Sequence, residues 1–111
     1  MKNLFNLFDE ADWKETENYP EGTKQKVLSE QNGIKIILLK LPKDFKMNAH
    51  SHMMVEQHFV VKGVYTSEGV TYSAGSYRLI DAHENHGPFE SKEGALILVI
   101  WDPSQGTDNN S

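Results

Sequence analysis

A chain of 111 residues with a formal charge of −5 suits one domain with a modest core, and its acidic balance offers no footprint for phosphate backbones, so nucleic acid is not an expected partner. The absence of cysteine removes disulfides, thiolate zinc sites, iron–sulfur clusters and a cysteine nucleophile together, so any metal must be held by nitrogen and oxygen. Hydrophobic and charged shares of 38% and 24% are those of a soluble globular domain.

In chain order, MKNLFNLFDE carries one lysine and a few apolar residues, and Asn6 and Asp9 interrupt the run before it could serve as the apolar core of a signal peptide. A cytoplasmic protein is expected. Leu4, Leu7, Phe8 and Ala11 fall at helical spacing, which predicts a short helical or irregular segment within residues 1–22, packed on the domain or on a second copy. Extended runs over Thr23–Glu30 and Gly33–Leu41 are joined by Asn32-Gly33, a hairpin signal because both residues accept positive φ. Ile34, Ile36 and Leu38 fall on one face of the second run and Ile37, Leu39 and Leu41 on the other, so both faces are expected to be covered, one of them by a second sheet or subunit. Further strands are predicted over Val55–Lys62, Val64–Thr66, Val70–Ser73, Tyr77–Asp81 and Ala95–Trp101, with turns at Ser67-Glu68-Gly69, Ala74-Gly75, Gly87-Pro88 and Glu93-Gly94. The longest apolar run, ALILVIW, is strand-sized and far short of the ~20 residues a bilayer helix needs, so no membrane segment is expected. Ser104–Ser111 reads as a solvated tail, leaving residues 23–103 as an all-β antiparallel barrel or sandwich.

Three of the five histidines crowd into AHSHMMVEQHFVVKG, where His50, His52, Glu56 and His58 share one side-chain parity. Alternate residues of a strand share a face, so His50 and His52 can present two imidazole nitrogens to one point inside a barrel. Glu56, three residues further on, can return a carboxylate oxygen to the same ion, a donor set that suits divalent first-row metals. His86 is the candidate third imidazole, because IDAHENHGPF ends in Gly87-Pro88, which forces a turn where a side chain can point into a barrel mouth. His58 is expected to line the same cavity as a hydrogen-bonded wall that orients a ligand, and His83 to be a solvated turn residue. Gln57 could replace Glu56 only if the turn were one residue longer, against the spacing to Gly63. Met47, Met53 and Met54 read as cavity lining and Trp13, Trp101, Phe59 and Tyr65 as core or interface. Arg78, the single arginine, is placed to clamp a carboxylate or to form a surface ion pair.

These residues carry a family resemblance. His50-x-His52-x3-Glu56-x6-Gly63 resembles the first cupin motif, and Gly75-x5-Asp81-x-His83-x2-His86 resembles the second. Asp44 stands in place of the first motif's leading glycine; Asp81, His83 and Glu90 replace the usual proline, glycine and closing asparagine of the second. Through LPKDFKMNAHSH, EQHFVVKGVYTSEGVTYSAGSYRL and HGPFESKEGALILVIW, the chain is similar to the small cupins related to the C-terminal domain of ChrR-type anti-sigma proteins. The resemblance implies a six-to-eight-stranded jelly-roll barrel, commonly a homodimer, with His50, His52, Glu56 and His86 as metal ligands. The separate zinc domain with which such proteins grip a sigma factor is not expected within these residues, so the resemblance does not imply sigma-factor binding.

Three imidazoles and one carboxylate around octahedral Fe(II), Mn(II) or Ni(II) leave two neighbouring positions open for a chelating substrate plus water or dioxygen. Zn(II), which prefers four ligands, could instead close its coordination and give a sensing or structural site. Two functions follow: a dioxygenase-like enzyme acting on a small oxygen-chelating molecule, with Glu56 as a labile ligand or base, or a module that senses a small-molecule ligand through its metal.

Overall fold

The computed structural model describes residues 6–48, 55–82 and 87–102. Nine strands lie among them: β1 Lys14–Glu15, β2 Lys24–Gln31, β3 Ile34–Leu41, β4 Phe45–Met47, β5 Val55–Ser67, β6 Val70–Ser73, β7 Tyr77–Ile80, β8 Phe89–Ser91 and β9 Ala95–Asp102. Every pairing is antiparallel, and the strands follow one another as β1-β2-β3-β9-β5-β8-β4, with β6 and β7 also on β5. The result is a curled sheet whose inner face holds the core, the all-β barrel architecture anticipated from the turn spacing.

Local chemistry sets the turns. Asn32 and Gly33 take φ of 56° and 81°, the left-handed pair that a tight β2–β3 hairpin requires. Asp44, in the place of the motif's leading glycine, adopts φ 58°, so this aspartate keeps the left-handed turn that glycine would provide. No helix occurs among the described residues. From residue 6 onward the helical spacing yields an irregular segment because the Asn6 and Asp9 side chains accept the backbone N–H groups of Phe8 and Ala11, at 2.8 and 3.0 Å, giving the backbone a local alternative to helix bonds. Residues 9–13 lie over the outer face of β2 and β3: Lys26 donates to the Asp9 carbonyl at 2.7 Å, and Lys26 and Lys40 both sit over the Trp13 ring.

The strands expected at Val55–Lys62 and Val64–Thr66 are one strand, β5, thirteen residues long. A bulge between Val60 and Lys62 and the positive φ of Gly63 bend it without ending it. Its first half pairs with β7 and β9, its second with β6 and β8, so β5 is the hinge that joins the two halves of the barrel. The extra residue also reverses parity. Glu56, His58 and Val60 face inward before the bulge, whereas Tyr65 and Ser67 face inward after it. The core gathers Ile37, Leu39 and Leu41 of β3 and Ala95, Ile97 and Val99 of β9 with Phe45, Val60, Tyr65 and Phe89.

As anticipated for β3, the outer face is apolar too. Leu38, Leu98, Phe59 and Tyr77 form one cross-strand row, and Ile36, Ile100, Gln57 and Leu79 the next. Tyr77 and Leu79, at the β7 end, are 51% and 50% exposed. Among the described residues no helix is long and apolar enough to cross a membrane.

Candidate metal centre

Of the expected metal ligands, Glu56 lies within the described residues; His50, His52 and His86 lie outside them, as do His83, Met53 and Met54. The described residues alone contain no group of three side chains able to hold an ion. The geometry that can be tested is therefore that of Glu56 and its surroundings.

Glu56 sits on the inner face of β5, opposite Trp101 of β9 and Ile80 of β7, and is 2% exposed. His58, two residues on and 5% exposed, brings Nε2 to 3.1 Å from Glu56 Oε2, off the alignment of a hydrogen bond. Burying a carboxylate costs several kcal/mol unless a cation or donors compensate it, so this position has a chemical reason. Both side chains line a cavity of about 20 Å³ together with Tyr19, Leu39, Leu41, Phe45, Met47, Phe89 and Ile97. That space suits one water-sized occupant. A buried carboxylate beside a small void fits one oxygen donor of a divalent ion. A larger groove, of about 370 Å³, runs between Leu7, Phe8, Trp13, the end of β3, the bulge of β5 and the start of β9, and includes none of the expected ligands.

The neighbours of this carboxylate were only partly legible in the chain. Gln57, the alternative to Glu56, points to the outer face and accepts a hydrogen bond from the Tyr77 hydroxyl at 2.8 Å. Met47 packs against the core and lines the cavity, in keeping with its expected role. Tyr19 reaches the cavity from the loop before β2; burial, with the nearby Glu56 charge, pushes its phenol well above the ordinary tyrosine range. Nothing in its local sequence marks it. Tyr65 is core, as expected, but its hydroxyl also lies 2.8 Å from His58 Nδ1. Desolvation raises its phenol to about 12 against the opposing effect of Arg78. Arg78 stands opposite His58 in the β5–β7 register, only 11% exposed, with Nη2 3.1 Å from Glu68 Oε2. The pair lies at the surface of the barrel, its arginine largely buried and Glu68 45% exposed.

The ChrR cupin-like domain profile matches residues 2–105. No curated protein matches the chain. Among solved structures, the Rhodobacter sphaeroides SigE complex with the anti-sigma ChrR superposes with a TM-score of 0.72 at 21% identity, over 86% of this chain and 51% of that one. This chain thus spans about half the length of the relative. KdgF from Halomonas sp. gives 0.70 at 22% identity, over 85% and 87% of the two chains. An acetylacetone dioxygenase from Acinetobacter johnsonii gives 0.71 at 15% identity, over 91% and 74%.

Proposed function

Because the chain belongs to the ChrR cupin-like domain family, we propose that it is a metal-binding small cupin that holds one divalent transition ion, Fe, Mn, Ni or Zn, through His50, His52, Glu56 and His86. The observation that carries this reading is Glu56: a carboxylate turned into an apolar barrel, 2% exposed, beside a void sized for one small occupant. A bound ion would supply Lewis acidity toward an oxygen-chelating ligand. The protein is a dioxygenase-like enzyme acting on such a small molecule, a reading supported by its likeness in fold to an acetylacetone dioxygenase. Glu56 is then the anionic donor, and the base if it releases the ion during turnover, with His58 holding its orientation.

The anti-sigma ChrR likeness favours a second reading, a non-catalytic module that senses a ligand or oxidant through its metal. Under either reading the chain works in the cytoplasm as a homodimer. The apolar rows on the outer face support self-association, since their β7 end, Tyr77 and Leu79, is left half-exposed and a second copy would cover it.

Metal analysis of purified protein followed by oxygen uptake with β-diketones, catechols and thiols separates the two. Uptake that disappears in His50→Ala supports the enzyme. Firmly held zinc without turnover supports the sensing module and overturns the enzyme.

A further inference from the structure

We propose that Tyr65 and Arg78 are positioning residues: they hold the His58 ring with its Nε2 edge facing Glu56, and Glu68 extends the same brace to the backbone beside His86. The inference deepens the metal-site reading and, where it concerns metal affinity, rests on it.

The parity reversal in β5 makes the brace possible. Without the bulge between Val60 and Lys62, simple alternation from Glu56 and His58 would turn Tyr65 outward. With it, the Tyr65 hydroxyl meets His58 Nδ1 at 2.8 Å across the interior. Tyr72 stacks on the Tyr65 ring, centroids 5.1 Å apart and planes 25° from parallel, while the Arg78 guanidinium lies 4.9 Å over Tyr72 and 5.5 Å over Phe89. The Tyr72 ring thereby joins Arg78 to Tyr65.

The Tyr65 hydroxyl fixes the ring at Nδ1 and turns its opposite edge to the carboxylate, with Nε2 3.1 Å from Glu56 Oε2. His58 is thereby a wall that limits where the carboxylate can swing, the role of a partner that orients a metal ligand.

At its other end the brace reaches the second motif. Glu68, left-handed at φ 55° in the β5–β6 turn, uses one oxygen twice: Oε2 accepts from Arg78 Nη2 at 3.1 Å and from the Gly87 backbone N–H at 3.2 Å. Gly87 directly follows His86 in the chain. A line of contacts therefore runs from Glu56 through His58, Tyr65, Tyr72, Arg78 and Glu68 to the residue after the last expected ligand, tying the two motifs together.

The test uses the full chain, labelled with ¹⁵N, at neutral pH. Long-range ¹H–¹⁵N spectra, with the ring assigned through His58→Asn, should show one set of His58 ring signals in the wild type and a shifted or doubled set in Tyr65→Phe. Amide exchange at Gly87 should quicken in Glu68→Gln. Titration with Co(II) should show about tenfold weaker binding in Tyr65→Phe, the scale expected when a partner that orients a ligand is lost. Ring signals unaffected by Tyr65→Phe would overturn the assignment of Tyr65 and Arg78. Unchanged exchange at Gly87 would overturn that of Glu68. If the wild type takes up no Co(II) at all, the metal reading fails, while the ring-signal and exchange measurements still decide the brace.

Discussion

Gly63 offers the clearest quantitative test of how the barrel positions Glu56. It takes φ 80° inside β5, and a Cβ built there would lie 2.4 Å from the Gly94 carbonyl oxygen and 2.9 Å from Ala95 Cα. Both obstacles are backbone, so no side-chain rotation can relieve the overlap; β5 and β9 must move apart at the Gly63–Ala95 pair. Gly69 provides the matched control, with the same φ of 80° and nothing within 4 Å of its virtual Cβ. Gly69→Ala should cost only the left-handed backbone term, about 1–2 kcal/mol. Gly63→Ala should add an overpacking term of about 1–3 kcal/mol, for a total of about 2–5 kcal/mol. In a domain of this size, at about 5 °C per kcal/mol, that corresponds to roughly 10–25 °C in melting temperature against roughly 5–10 °C for the control. Urea and thermal unfolding followed by circular dichroism would measure both. Equal losses in the two variants would refute the reasoning, because they would mean that close approach of β9 contributes nothing at Gly63.

Three further outcomes are expected. Saturating Co(II) or Ni(II) should stabilise the wild type by about 3 kcal/mol at a hundredfold excess over Kd, and Glu56→Gln should lose most of that gain; an equal gain in both proteins, read by thermal shift, would remove Glu56 from the ligand set. Tyr65 and Tyr19 hold their phenolic protons more tightly folded than unfolded, so their contribution is fully present below pH 10 and is lost as pH rises toward 12. For Tyr65 it amounts to about 2–3 kcal/mol, and denaturant midpoints at pH 9 and 11 should fall more steeply in the wild type than in Tyr65→Phe. Leu79→Glu, on the exposed end of the outer apolar face, should convert a dimer to a monomer in sedimentation while leaving Co(II) affinity unchanged; a wild type already monomeric at high concentration would contradict the homodimer.

Elements whose signals are local were legible in the chain. The β2–β3 hairpin follows from Asn32-Gly33, and β9 from its uninterrupted apolar run. β4 and β8 were not legible, because Phe45–Met47 and Phe89–Ser91 are three residues each and are strands chiefly through pairing with each other across the chain. Gly63 was read as a break where it is a bend, the usual ambiguity of a glycine within a strand pattern. That one reading hid the most about the site, since parity counted from Glu56 cannot place Tyr65 against His58 without the bulge. The inward, buried positions of Glu56 and His58 were legible from alternation alone. Tyr19 was not, because only the folded path of the loop before β2 brings it beside Glu56.

The central claim is that one divalent ion is held inside the barrel by Glu56 and three histidines. Anomalous diffraction at the metal edge, from crystals saturated with Mn(II), Co(II) or Ni(II), tests it directly. The account predicts a single strong peak in the cavity beside Glu56, within about 2.0–2.3 Å of its carboxylate and of nitrogens of His50, His52 and His86. No peak there after saturating exposure, or an ion bound elsewhere with Glu56 uninvolved, would contradict it.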